Sequence, residues 1–196
     1  RMPAWVNSDH LTVLGLAAML GTGLSFWLAG TERSAVWLVG ICLAINWFGD
    51  SLYGTLARVR RQERPRYGYY VDHVVDIVGS VFLLGGLALS GFMSPLVAAG
   101  VLIAFLMMSA EVFLAAHSLG QFKITYARLG PTELRILLAL GALWLLVKPD
   151  VVLFGQQFHL FDVGGVCAIA GLVGIFAATA VTHTRALYRA EPRIKP

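Results

Sequence analysis

The 196-residue sequence contains few charged residues and only two cysteines. Asp, Glu, Lys and Arg make up 13% of it, whereas soluble domains carry about 25%. The scarcity of charge excludes an ordinary soluble domain and a disordered chain, and it argues against a nucleic-acid partner, which requires many more basic and polar residues. Cys42 and Cys167 both lie in apolar stretches, so a disulfide-stabilised scaffold is excluded as well.

Hydrophobic residues make up 58% of the chain and are gathered in long segments. A membrane-crossing helix needs about 20 mostly apolar residues. Six segments are candidates, at residues 11–28, 35–57, 69–89, 95–116, 132–147 and 163–181. They leave no room for a second domain. The sequence therefore predicts an all-α integral membrane protein, in which residues 1–196 form a single six-transmembrane-helix bundle.

Basic residues indicate how this bundle is oriented. With six spans, both termini lie on the same side of the membrane, together with thirteen of the fifteen Lys and Arg residues. Only Arg33 and Lys148 fall on the other side. Because Lys and Arg favour the cytoplasmic side, we expect cytoplasmic N- and C-termini, in a membrane that we interpret as a bacterial inner membrane.

Three aspartates fall inside the second and third predicted spans, where insertion of an acidic side chain costs about 2.5–3.5 kcal/mol. Asp50 lies near the end of the second span, and Asp72 and Asp76 lie near the start of the third. Asp72 and Asp76 are four residues apart and share a helical face. The short connection predicts that the two helices are antiparallel neighbours, with the carboxylates meeting near the cytoplasmic surface. The alternative is that they are helix-end charges paired with the Arg-rich loop.

The residues around these carboxylates favour a ligand. A divalent cation with oxygen ligands would neutralise three converging carboxylates. Gly54 and Ala57 reduce side-chain bulk on the same helix, so a ligand can approach the backbone. Arg58 has the planar fork that suits phosphate oxygens. Together these residues predict a site for a metal and a phosphate or diphosphate.

The stretch at residues 50–76 closely resembles the signature of the CDP-alcohol phosphotransferases. That signature is D-x-x-D-G-x-x-A-R, eight or nine residues, and G-x-x-x-D-x-x-x-D. The chain has D-S-L-Y-G-T-L-A-R, nine residues, and G-Y-Y-V-D-H-V-V-D, so seven of the eight specified positions match. Six spans with the motif across the second and third is also the fold of that family.

This resemblance implies transfer of a substituted phosphate from a CDP-alcohol donor to a lipid or small-alcohol acceptor, with release of CMP and dependence on Mg²⁺ or Mn²⁺. It implies metal ligation by Asp50, Asp72 and Asp76, with Asp76 also as the catalytic base. The nucleotide and diphosphate positions are Gly54, Ala57, Arg58 and Gly68. The family is often dimeric, so a homodimer is a further expectation.

The resemblance allows two types of donor, namely CDP-diacylglycerol and the CDP-choline or CDP-ethanolamine type. The Asp72-His73-x-x-Asp76 variant is similar to the choline/ethanolamine branch of the family, whose acceptor is a diacylglycerol.

Tyr53 departs from the signature, because it stands where the family has its second Asp. A phenol keeps its proton at neutral pH and is a poor ligand for Mg²⁺. Either water or substrate phosphate fills the position in an active enzyme, or the chain is an impaired relative that binds nucleotide or lipid. A small transporter is a third hypothesis, since membrane carboxylates also mark ion pathways.

Three further charged residues have two interpretations each. Glu111, in the fourth span, either lines an acceptor cavity or pairs with His117 or an arginine of a neighbouring helix. Lys123 and Arg128 are interpreted as ordinary basic residues of a cytoplasmic loop, with binding of an anionic acceptor as the alternative.

Overall fold

A computed structural model of the chain describes residue 3, residues 5–119 and residues 131–191. Within these ranges the chain forms six α-helices and one β-hairpin. Lys123 and Arg128 lie outside the described residues. The elements are α1 (Ser8–Ala29), α2 (Val36–Val59) after a 3-10 turn (Arg33–Ala35), α3 (Pro65–Ser90), α4 (Pro95–Leu119), α5 (Pro131–Leu145), β1 (Asp150–Leu153), β2 (Gln156–His159) and α6 (Leu160–Ala190).

Local sequence signals explain where the helices begin and end. The Asn7 side chain accepts a hydrogen bond from the backbone N–H of His10 at 2.9 Å, and the His10 ring accepts one from the backbone N–H of Asn7 at 3.1 Å. This capping box satisfies two backbone donors at the start of α1. Pro65 occupies the first turn of α3, where its missing N–H costs nothing, and Gly91 ends that helix with a φ of 79°.

Five of these helices are long and apolar enough to cross a membrane, namely α1, α2 with its 3-10 turn, α3, α4 and α6. This confirms the all-α membrane class. Helix α5 has 15 residues, and at 1.5 Å per residue it spans about 22 Å, less than the roughly 30 Å of a bilayer core. The fifth predicted span, at residues 132–147, and the cytoplasmic position of both termini therefore stay predictions.

A β-hairpin that the sequence patterns do not predict joins α5 to α6. Its turn consists of Phe154 and Gly155, both with positive φ (53° and 78°), which is typical of the two-residue turns whose twist matches that of the strands. Asp150 and His159 are partners at its open end, with 2.8 Å between Oδ1 and Nδ1. The chain thus leaves helical geometry before Lys148, where the fifth apolar segment ends.

The packed core lies at the end of the bundle away from residues 50–76. The rings of Phe26 and Phe161 meet edge to face, 5.6 Å apart. In α3 the buried positions begin only at Gly79, after the motif. Dense packing therefore holds one end of the helices, while the motif half has few fully buried side chains. The core residues include Phe26, Ala29, Val36, Val39, Leu43, Leu83, Leu84, Leu87, Met93, Ala98, Ala142, Leu145 and Phe161.

Two polar contacts hold α6 against α4. At the start of α6, Asp162 accepts hydrogen bonds from the backbone N–H of Ser94 at 2.7 Å and from the Ser94 hydroxyl. Further along, Nδ1 of His183 lies 2.5 Å from Oε1 of Glu111, which is 7% exposed. The expected partner of Glu111, His117 or an arginine, is therefore wrong, because helix packing brings His183 to it instead. Among the described residues, Glu111 Oε2 has no hydrogen-bond partner.

Helices α1 and α3 approach each other most closely where Gly23 faces Gly86. A Cβ atom on Gly86 would lie 2.1 Å from the carbonyl oxygen of Gly23. Because the obstacle is backbone, the helices themselves would have to move apart. We expect Gly86→Ala to lower the free energy of unfolding by about 1–3 kcal/mol, the usual cost of overpacking, as measured by denaturation in detergent.

The adjacent glycine is a matched control for this prediction. A Cβ atom on Gly85 would meet no atom within 4 Å. Gly85→Ala should therefore leave stability unchanged or raise it slightly through better helix propensity. Equal destabilisation by both substitutions would contradict the close approach of α1 and α3.

Candidate active site

Two arginines of the α2–α3 connection bind the segment that leads into α1. Arg60 donates hydrogen bonds to the backbone carbonyls of Val6 and, at 2.8 Å, Pro3. Arg64 forms an ion pair with Asp9, with 2.6 Å between Nη2 and Oδ1. These contacts hold the beginning of α1 beside the ends of α2 and α3, and so they order the connection that joins the two motif helices.

Asp50 forms an ion pair with Arg135 of α5. Nη1 of Arg135 lies 2.8 Å from Oδ2 of Asp50, and the side chains are 15% and 33% exposed respectively. One turn earlier on α2, the buried Asn46 side chain donates to the carbonyl oxygen of Gly15 at 3.0 Å, which fixes the rotation of α2 against α1. Asp50 is thereby directed towards α5, a helix outside the sequence motif.

The Arg135 contact is the part of the site that sequence reasoning missed. From the sequence alone, Arg135 is interpreted only as one of the basic residues that indicate how the bundle is oriented in the membrane. The sequence does contain a signal of a partner for Arg135, because it is the one charged residue of the apolar segment Leu134–Leu145. A guanidinium in such a segment needs an anionic partner, and the chain offers few.

Tyr53 lies one turn after Asp50 on α2, and its phenol interacts electrostatically with the carboxylate of Asp72 on α3. Its backbone carbonyl accepts a hydrogen bond from the Ser8 hydroxyl at 3.0 Å. The residue that replaces the family's second Asp therefore lies within reach of the charges of all three motif carboxylates.

The three motif carboxylates interact with one another and with Arg135. Asp72 and Asp76 both experience the charges of Asp50 and Arg135. Asp76 is exposed at the surface of the chain. Over the described ranges, however, no three His, Cys, Asp or Glu side chains are grouped closely enough to hold a metal. Metal binding by these residues thus stays a prediction.

The residues expected to contact nucleotide and diphosphate border open space. A Cβ atom at Gly54 or Gly68 would meet no atom within 4 Å. Arg58 is exposed, and its Nε donates to the carbonyl oxygen of Gly54 at 3.3 Å, while Ala57 is half-buried. A ligand could therefore approach the backbone of α2 and α3 here without displacing side chains.

His73 connects the motif helix to α4. Its ring lies 4.2 Å from that of Tyr69 and 4.8 Å from that of Phe113, measured between centroids. Its Nδ1 is 2.6 Å from the carbonyl oxygen of Tyr69. The contact with Phe113 packs the start of α3 against α4, next to Asp72 in the sequence.

Comparison with known proteins agrees with the motif. The sequence model of CDP-alcohol phosphatidyltransferases matches residues 5–185, which include all of α1 to α5 and most of α6. No curated protein matches the chain at a significant level. Because the family match extends over nearly the whole chain and includes the motif, the chain belongs to the CDP-alcohol phosphatidyltransferase family.

Proposed function

We propose that this chain transfers a substituted phosphate from a CDP-alcohol to a hydroxyl acceptor and releases CMP, as a membrane-embedded enzyme of phospholipid biosynthesis. Family membership supports the reaction class. The observation that carries the proposal is that Asp50, Asp72 and Asp76 interact across two helices, beside open backbone at the glycines of the motif. Phosphoryl transfer depends mainly on positioning and charge neutralisation, which such a site can supply.

The donor atoms of the site suit Mg²⁺ or Mn²⁺, because carboxylate oxygens are the hard ligands that these ions prefer. Asp50, Asp72 and Asp76 are the residues that would hold the ion. When bound, it would neutralise negative charge on the diphosphate. Ion binding would compete with one contact of the present structure, the Asp50–Arg135 ion pair.

In the proposed reaction the acceptor oxygen attacks the phosphorus that carries the donor alcohol. A new O–P bond forms, the bond to CMP breaks, and CMP leaves with the electron pair. Asp76 accepts the proton of the acceptor hydroxyl, and its exposed side chain can reach a bound acceptor. Gly54, Ala57 and Gly68 let the nucleotide lie close to the backbone, and Arg58 binds phosphate oxygens.

The cellular setting is part of the proposal. Four arginines in or beside the α2–α3 connection favour a site that faces the cytoplasm, in a bacterial inner membrane. The acceptor is a lipid or a small alcohol that reaches the site from the bilayer or from water, and the enzyme acts as a homodimer. These arginines are Arg60, Arg61, Arg64 and Arg66.

A second candidate function rests on Tyr53, which stands in place of the second motif Asp and beside Asp72. If the phenol holds Asp72 away from a metal, the chain is a catalytically impaired relative that still binds nucleotide or lipid. An active enzyme and an impaired relative would both bind nucleotide or lipid, but only the active enzyme would release CMP. Turnover and binding must therefore be measured on the same preparation.

The deciding experiment is a CMP-release assay on the purified chain in lipid nanodiscs with Mg²⁺, a diacylglycerol or glycerol-phosphate acceptor, and in turn CDP-choline, CDP-ethanolamine and CDP-diacylglycerol. Calorimetric titration of the same donors measures binding. We expect CMP release with at least one donor, and loss of release when EDTA removes the metal. Binding without release supports the impaired relative, and no binding of any cytidine compound contradicts both functions.

A further inference from the structure

We infer that the β-hairpin between α5 and α6 binds the lipid bilayer, lying along the membrane surface with one face at the boundary between headgroups and acyl chains. The hairpin lies at the end of the bundle away from the motif, where its neighbours Leu145 and Phe161 belong to the packed core. It has no part in the proposed reaction.

The strand register gives the hairpin an apolar face. Residues directly opposite each other in an antiparallel pair lie on the same face, and the faces alternate along each strand. Val151 and Leu153 of β1 therefore share a face with Phe158 of β2, which is the partner of Val151. Gln156, beside the turn, is the one polar residue on this face.

The opposite face is mainly polar. It holds the pair formed by Asp150 and His159, the side chain of Gln157, and a single apolar residue, Val152. An amphipathic hairpin of this kind can place one face in an apolar phase while the other stays in water.

The chain itself leaves the apolar side chains near the turn uncovered. Leu153 and Phe158 are 39% and 42% exposed, and Phe154, at the tip, is completely exposed. Large apolar side chains grouped in this way mark a surface that contacts another apolar phase.

Lipid is the apolar phase closest to the hairpin. Helix α6, which is long and apolar enough to cross a membrane, begins at Leu160, directly after β2. The backbone N–H of Leu160 donates to the carbonyl oxygen of Pro149 at 3.0 Å, so both strand ends are held together where α6 begins. The base of the hairpin is therefore at the membrane boundary.

The dimensions of the hairpin favour an orientation along the membrane. Four residues per strand, at about 3.4 Å each, carry the tip about 14 Å from the base. The headgroup layer on each side of a bilayer is only about 5–8 Å thick. An upright hairpin would expose Phe154 to water, whereas a hairpin lying along the surface keeps it against the acyl chains.

The backbone limits how deeply the hairpin can enter. A two-stranded sheet leaves N–H and C=O groups unpaired along both outer edges, and these groups have no partners in hydrocarbon. Asp150 and His159, which lie 2.8 Å apart, are about half exposed and also require contact with water or headgroups. Only the side chains of the apolar face and of Phe154 therefore reach the acyl region.

The test places a nitroxide label on the full chain in lipid nanodiscs, in a Cys42→Ala/Cys167→Ala background. Its collisions are measured with O₂, which concentrates among acyl chains, and with a water-soluble nickel chelate. Phe154→Cys and Phe158→Cys carry the label at the tip and on the apolar face, and Gln157→Cys, on the polar face, is the matched control. We expect the ratio of O₂ to nickel collisions to be several-fold higher at positions 154 and 158 than at position 157.

Each outcome decides the matter. The same ratio at all three positions means that the whole hairpin lies in water or that both faces lie in lipid, and either result overturns the inference. Few collisions with both reagents at positions 154 and 158 would show that protein, such as a second copy of the chain, covers the apolar face, which also overturns it.

A second measurement replaces the first if the cysteine-free background fails to fold, as judged by thermal unfolding. Phe154→Trp in the otherwise native chain is then quenched with lipids brominated along the acyl chain, and the signal of the five native tryptophans is subtracted by use of the wild type. Quenching of the added tryptophan supports lipid contact at the tip, and its absence contradicts it.

Discussion

Asp76→Asn should reduce CMP release by about a thousandfold, because general-base catalysis commonly contributes 10²- to 10⁴-fold. Asparagine has nearly the same shape as aspartate but cannot accept the proton of an acceptor hydroxyl at neutral pH. Since the nucleotide is expected to lie against α2 and the start of α3, affinity for the CDP-alcohol should fall much less. Initial rates of CMP release and calorimetric Kd values on the same preparation measure both effects.

Two further variants distinguish the loss of a catalytic base from the loss of a metal ligand. Higher Mn²⁺ concentration should partly restore Asp50→Asn, which lacks only a ligand. Asp76→Asn lacks the base as well as a ligand, so it should stay inactive even at saturating Mn²⁺. Asp150→Asn, in the hairpin between α5 and α6, removes a carboxylate without touching the site and should keep full activity. Turnover of Asp76→Asn within tenfold of the wild type would rule out Asp76 as the base.

Tyr53→Asp should raise CMP release, by about tenfold at limiting Mg²⁺. The substitution removes the phenol that interacts with Asp72 and adds the fourth carboxylate of the family signature. Both changes favour a hard divalent ion, whose affinity rises with the number of charged oxygen ligands. The measurement is the Mg²⁺ concentration that gives half-maximal CMP release in the wild type and the variant.

Tyr53→Phe separates the two causes of this gain. Phenylalanine removes the hydroxyl beside Asp72 but adds no ligand, so it should raise activity less than aspartate does. Equal and substantial activity in the wild type and in Tyr53→Asp would show that the tyrosine does not impair the site. In that case water or substrate phosphate completes the metal coordination.

Much of this site can be predicted from the sequence because the motif is regular. Asp72 and Asp76 share a helical face through their spacing alone, and the short connection after α2 makes α2 and α3 neighbours. Hydropathy likewise predicts the long helices, whose locations the structure confirms. Hydropathy does not predict the structure of residues 145–160, because the β-hairpin there consists of ordinary apolar and polar residues with no distinct hydropathy pattern.

Pairings between distant helices are not predictable in this way. His183 is 72 residues from its partner Glu111, and Arg135 meets Asp50 across a comparable separation in sequence. Charge and hydropathy show that each of these residues needs a partner in the membrane. They do not show which helix supplies it, since that depends on how the helices rotate and pack.

By itself, the sequence determined the membrane class, the family and the identity of the three motif aspartates, because helix length, hydropathy and fixed spacing are local properties of the chain. Only the tertiary structure decided that Arg135 pairs with Asp50, that Tyr53 lies beside Asp72, and that the dense core lies at the end away from the motif. Each of these depends on contacts between helices, and such contacts form only when close approaches such as that of Gly23 and Gly86 set the helix positions.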